Sequence, residues 1–243
     1  LREDTILVSV CAVDSEIGLV QPIEEIGKIL KEHTHTYFHT DATQAIGKVA
    51  IDYTNVDLIT IAPHKFYGIN GIGILVKKEG VNLKPQMSGG RSTTVYRSGT
   101  PIVQDIVATE KALEIALKSQ KARYDYVVSI NKDVSEYLRQ YKDVRINNTE
   151  NSIPFVINFS INGVNSKDFV SMLNERGVCV SAKTSCCPVE TPSKLVYALT
   201  KDKKNASSSV RISFSHLTKP EEIDIFKDVF KSSIKELEEN GKI

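Results

Sequence analysis

Leu58-Ile59-Thr60-Ile61-Ala62-Pro63-His64-Lys65-Phe66-Tyr67-Gly68 is an apolar, β-branched run that stops at a single lysine. Bounded by Pro and Gly, such a run reads as a buried strand, with Lys65 at or just past its C-terminal end. In open α/β sheets ligands bind outside the carboxyl ends of the strands, and a lysine desolvated there loses its proton and attacks a carbonyl. Taken alone, the same lysine also reads as one that snorkels from the strand end to water. Its neighbours in the chain decide between the two.

Upstream, Thr5-Ile6-Leu7-Val8-Ser9-Val10-Cys11-Ala12-Val13 predicts a first strand, and Asp14-Ser15-Glu16-Ile17-Gly18 a turn. Pro22 opens a helix with an apolar stripe at Ile23, Ile26, Ile29 and Leu30, and Thr36-Tyr37-Phe38-His39-Thr40-Asp41 is a second strand ending on a carboxylate. The 58–62 strand is third and the Gly-rich 71–77 segment fourth. Strands alternating with a helix predict a largely parallel sheet, with the glycines permitting a tight return into the last strand. Pro101 starts a long helix running toward Leu138, with a stripe of Ile102, Ile106, Leu113, Ala116 and Leu117 interrupted at Thr109. The pattern then restarts, with strands at 154–161, 178–181 and 209–214 and helices at 167–175, 192–199 and 220–237. The expected fold is α/β: a mainly parallel sheet in a larger domain over 1–120, then a linking helix and a smaller α/β domain over 121–243.

At 243 residues and 41% hydrophobic composition, the chain is long enough for such a core. Lys+Arg 31 against Asp+Glu 30 gives a net charge of +1, so no overall field recruits nucleic acid or an anionic membrane. The longest apolar runs are strand-sized, and no basic stretch followed by a hydrophobic segment opens the chain, so the expectation is a cytoplasmic protein. Four cysteines, two of them adjacent, make no disulfide framework at this length. The chain enters its first strand within five residues of Leu1, which reads as a cut from inside a domain.

Asp41 and Lys65 both end strands of one predicted sheet, one or two strand spacings apart, roughly 5 to 10 Å. Gln44 follows Asp41 by three residues. A carboxylate, an amide and a lysine beside His64 suit an aromatic cofactor whose ring nitrogen needs a negative partner and whose aldehyde needs an amine.

Asp41-Ala42-Thr43-Gln44, His64-Lys65-Phe66-Tyr67-Gly68 and Arg97-Ser98-Gly99-Thr100 together resemble a cysteine desulfurase, of the class V branch of the fold-type I pyridoxal 5'-phosphate (PLP) enzymes. Two further segments agree. Val180-Ser181-Ala182-Lys183-Thr184-Ser185-Cys186 is similar to that family's catalytic cysteine loop, and Ser209-Val210-Arg211-Ile212-Ser213-Phe214 to its substrate-carboxylate strand. The resemblance implies the C-terminal two-thirds of such an enzyme, in which Lys65 holds PLP as a Schiff base and moves protons. It further implies that Asp41 pairs with the pyridinium nitrogen, Gln44 with the phenolic oxygen, and His64 lies beside the phosphate. Thr100 would reach the phosphate of the neighbouring subunit in a homodimer, and Arg211 would clamp the carboxylate of L-cysteine. Cys186, in preference to Cys187, would take the sulfur as a persulfide, release alanine, and pass sulfur to an acceptor protein for Fe–S cluster assembly or tRNA thiolation.

Ser15 stands where the family usually has a cofactor-contacting asparagine, and Ala62 where it has a phosphate-binding serine. The alternatives are a selenocysteine lyase or a class V aminotransferase, which share Lys65 and Asp41, and an inert, cofactor-free folding or dimerisation module. Cys11 and Cys179 read as core fillers. His33, His35 and His39 with Asp41 only superficially resemble metal ligands, and no metal is expected. Gly89-Gly90-Arg91 reads as a turn, and Lys201-Asp202-Lys203-Lys204 as a solvated loop.

Overall fold

The β-branched and aromatic runs of the first half form one four-stranded sheet in the computed structural model, which describes residues 1–90, 94–183 and 191–243. Its strands are β1 (Leu7–Cys11), β2 (Tyr37–Asp41), β3 (Leu58–Ile61) and β4 (Ile74–Lys77), in the order β1-β2-β3-β4. β1, β2 and β3 run parallel, and β4 returns antiparallel to β3. Helix α1 (Ile23–Leu30) makes the crossover between β1 and β2. It buries Ile23, Gly27 and Leu30, whereas Ile29, expected on the apolar stripe, is 61% exposed. Asn55 Cβ would lie 2.8 Å from a Cβ at Gly27, so the helix seats on this close approach and turns Ile29 outward.

Helix α2 (Val103–Leu138) is 36 residues long. Its first half departs from the expected stripe: Thr109 and Ala116 are buried, while Ile106 and Leu117 are exposed, as is Ile102 (62%) just before the helix. The cause is close packing. Gly47, at φ +75, would place a Cβ 2.9 Å from Ala116 Cβ, so small residues form the contact and the branched ones face away.

The chain divides into two compact units, one made of 1–13 and 21–120, the other of 14–20 and 121–243. In the second unit β5 (Val144–Ile146), β6 (Val156–Ile161) and β7 (Ser209–Ser213) form an antiparallel sheet in the order β5-β6-β7. Around it lie α3 (Ser166–Glu175), α4 (Lys194–Thr200), α5 (Lys203–Ser207) and α6 (Pro220–Glu239). Every residue of β6 is buried. Phe230 of α6 meets Phe159 and Phe169 edge-on at 5.8 and 5.7 Å, the favoured aromatic geometry. Val127, Ile130, Val134 and Leu138 on the second half of α2 are buried at helical spacing.

Four expectations need correction. Residues 178–181 form no strand: only Ser181 bridges to Arg211. Gly177, at φ +81, turns the chain out of α3, and residues 178–180 are left partly or fully exposed. Lys203 and Lys204 belong to α5, because Asp202 caps it by accepting from the N–H groups of Lys204 and Asn205. Cys11 and Cys179 are exposed and fill no core. Cys11 lies on the edge strand with its thiol donating to Val13 O, and Cys179 donates to Asn174 Oδ1. Among the described residues, no helix is long and apolar enough to cross a membrane.

Candidate active site

Asp41 is the last residue of β2, paired in register with Cys11 of β1 and Thr60 of β3. The ladder continues one step further, with Ala42 N donating to Thr60 O. Asp41 Oδ1 then accepts from Thr43 N at 2.9 Å, and Thr43 Oγ1 accepts from Ala62 N at 3.1 Å. These bonds lash the ends of β2 and β3 together, so the two loops leave the same sheet edge side by side.

After β3, Pro63–Phe66 forms a 3₁₀ turn, Tyr67 closes it at φ 72, and Gly68 N donates back to Pro63 O. A Cβ at Gly68 would lie 2.9 Å from Pro63 Cβ, so this closure requires glycine. Pro63 and Phe66 point inward and are buried, which leaves His64 and Lys65 between them facing out. Lys65 is exposed, so this chain by itself does not supply the desolvation expected of a strand-end lysine.

Gln44 Oε1 accepts from Lys48 Nζ at 2.6 Å. That leaves the N–H side of the amide, the side a phenolic oxygen needs, for a ligand. On the same sheet face His39, considered above only as a metal ligand, sits between Ser9 Oγ (2.7 Å from Nδ1) and Thr60 Oγ1 (3.1 Å from Nε2). No group of three or more metal-binding side chains occurs among the described residues. Thr100, three residues before α2, is exposed.

The second unit carries Arg211 and Ser15. Arg211 lies on β7, and its Nη1 donates to Ser15 O at 2.8 Å. Burial pulls its guanidinium below the ordinary value, opposed by the Glu16 and Asp14 charges. The turn bearing Ser15 is fixed by Asp14, whose carboxylate accepts from the N–H groups of Glu16 (2.7 Å), Ile17 (2.9 Å) and Leu19 (2.7 Å). Cys186 and Cys187 lie outside the described residues. The sequence pattern places Glu16 only in a turn. It is 1% exposed, and a carboxylate beside Ile17 and Gly18 was the only sequence signal for it.

A model of the family "Aminotransferase class-V" matches residues 1–226. The chain belongs to that family. Among class V relatives, it is 34% identical over 245 residues to the mitosomal cysteine desulfurase of Encephalitozoon cuniculi, covering 98% of this chain and 56% of that protein. It is 33% identical to the cysteine desulfurase IscS of Dictyoglomus turgidum, covering 98% and 61%. Among solved structures, a NifS-like protein superposes with a TM-score of 0.88 at 28% identity, over 97% of this chain and 62% of that one. The NifS-like protein of Rickettsia africae does so at 0.84 and 26% identity, over 94% and 62%. The chain therefore spans about 60% of the length of the relatives it matches. Members of this family that act on amino acids use PLP, and the donor set here fits it: a strand-end carboxylate, a lysine on the adjacent strand's exit turn, and an amide with its N–H available.

Proposed function

We propose that the protein containing this chain is a PLP-dependent cysteine desulfurase that converts L-cysteine to L-alanine and carries the sulfur as a persulfide on Cys186. The observation that carries this reading is the register of β2 on β3, which brings Asp41, at the end of β2, and the turn bearing Lys65 to the same end of the sheet. When bound, PLP supplies the electron sink for breaking bonds at the substrate. The residues do the rest. Asp41 would pair with the ring nitrogen, Gln44 would donate to the phenolic oxygen, and His64 would lie beside the phosphate. Ser15, in place of the family's asparagine, lines the cofactor site. Lys65 Nζ anchors the cofactor and moves protons, and the Arg211 guanidinium takes the substrate carboxylate. In the sulfur step the carbon–sulfur bond breaks, the sulfur bonds to the Cys186 thiolate, and carbon gains a proton where sulfur left.

Sulfur then passes to an acceptor protein, an Fe–S scaffold or a tRNA-thiolation enzyme. We also assign a homodimer in which Thr100 reaches the neighbouring subunit's phosphate, acting in the cytoplasm. Loading the full-length protein with PLP should give visible absorption and, after borohydride, a labelled peptide containing Lys65. Lys65→Ala should lose both, together with all sulfide release from cysteine. Cys186→Ser should abolish sulfide release while Cys187→Ser keeps most of it. A colourless, unlabelled protein would sink the reading, and the opposite pair of cysteine results would move the persulfide to Cys187.

A further inference from the structure

The turn at 14–20 buries a carboxyl to which the desulfurase reading gives no task. Glu16 is 1% exposed, and its Oε1 has no hydrogen-bond partner among the described residues. The Ser193 hydroxyl donates to the Glu16 carboxylate and accepts from Val196 N at 3.0 Å, tying Glu16 to the N-terminal cap of α4. Arg211 mirrors it: Nη1 is held by the carbonyl of Ser15, the residue next to Glu16, while the buried Nε has no acceptor among the described residues. The Glu16 and Arg211 charges favour one another's ionised forms, and among the described residues no hydrogen bond or ion pair joins the two side chains.

Sealed, unmet polar groups are rare, and a buried charge is tolerated where another compensates it. A carboxylate bonded directly to the guanidinium would occupy the donors that an incoming carboxylate needs. One set back, and held in place by Ser193, supplies the opposing charge while leaving those donors open. We propose that Glu16 is a positioning residue for Arg211, holding its guanidinium oriented and charge-compensated so that it accepts the carboxylate of the amino-acid substrate. A structural task alone, through Ser193, needs only an oxygen acceptor, which glutamine also offers. Charge compensation needs the carboxylate.

This assignment rests on the desulfurase reading, and paired ligands separate the two. L-alanine and ethylamine differ only by the carboxylate, and their dissociation constants are measured by calorimetry on the full-length protein loaded with PLP. Glu16→Gln should weaken L-alanine about tenfold, on the scale of one charge-assisted interaction, and leave ethylamine unchanged. In an Arg211→Lys background the same substitution should have no further effect. Thermal melting checks that each variant is folded. Wild-type protein that binds the two ligands alike would overturn the carboxylate clamp, and Glu16's role with it. A discriminating wild type whose Glu16→Gln variant discriminates equally well, or a Glu16→Gln effect that persists in Arg211→Lys, would overturn the assignment while leaving the clamp standing.

Discussion

The two sheets of this chain treat polar groups in opposite ways. In β6 every residue is buried, and its polar side chains are satisfied within the unit: Asn147 Nδ2 donates to Asn158 Oδ1 and Ser160 Oγ, both at 2.8 Å, and Asn205 Nδ2 donates to Asn147 Oδ1 at 2.9 Å. In the β1–β4 sheet the face bearing Cys11, His39 and Asp41 stays partly open, and Leu7 at the edge is 50% exposed. A closed network must satisfy each member internally, or every orphan is penalised. An open face can leave donors and acceptors for a ligand, at the expense of local stability. The stability should therefore be concentrated in the second unit, while the first unit's open edge keeps polar groups free for a ligand.

The largest test of that contrast is Phe230→Ala. The ring is fully buried and touches Phe159, Phe169, Phe226, Tyr137 and Tyr141. Its loss should destabilise the second unit by about 3–5 kcal/mol in urea unfolding. Amide exchange should accelerate in β6 while β2 keeps its protection; parallel acceleration in both strands would show that the two regions unfold as one.

Next in size is a pair of polar deletions. Asn147→Ala seals Asn158 Oδ1 and Asn205 Nδ2 away from their partner, for about 1–3 kcal/mol per group left unpaired. Ser9→Ala removes a hydroxyl of the exposed edge strand, so His39 Nδ1 turns to water, and the loss should stay below about 1 kcal/mol. Equal losses in denaturant midpoint would erase the distinction between a sealed network and an open one.

Strand and helix runs with clean periodicity were legible: β2, β3, α3, α6 and the whole length of α2 lie where the residue pattern puts them. What the pattern could not carry was the choice of face. The buried side of α2 is Thr109 and Ala116, because Gly47 admits a close approach that large residues would block, and no count of apolar residues reveals that. Short elements were lost for a related reason. β5 is three residues with Arg145 in the middle, and its pairing with β6 is a tertiary fact. At the site, Asp41 at the end of β2 was readable because a carboxylate closing an apolar run breaks a pattern, whereas Lys65 stands past the end of β3, in the 3₁₀ turn Pro63–Phe66. Glu16 was not, since its significance lies in Arg211 and Ser193, 195 and 177 positions away by their numbering.

The smallest expected effect concerns the stability side of Glu16. Burial pushes its carboxyl upward, and the nearby Asp14 charge adds to this, while the Ser193 hydrogen bond, Arg211 and Lys183 act in the opposite direction. A carboxyl whose folded-state value exceeds its unfolded one binds more protons folded than unfolded. Its stabilising contribution is then fully present below the unfolded value, near 4.5, and is lost as pH rises through the folded value. Glu16→Gln removes that dependence. Its unfolding midpoint should match or fall below the wild type's in acid and overtake it on the way to neutrality, even as the variant loses its preference for a carboxylate-bearing ligand. A midpoint difference that stays flat across this range would mean that Ser193, Arg211 and Lys183 together offset burial, leaving the carboxyl's proton affinity unchanged on folding.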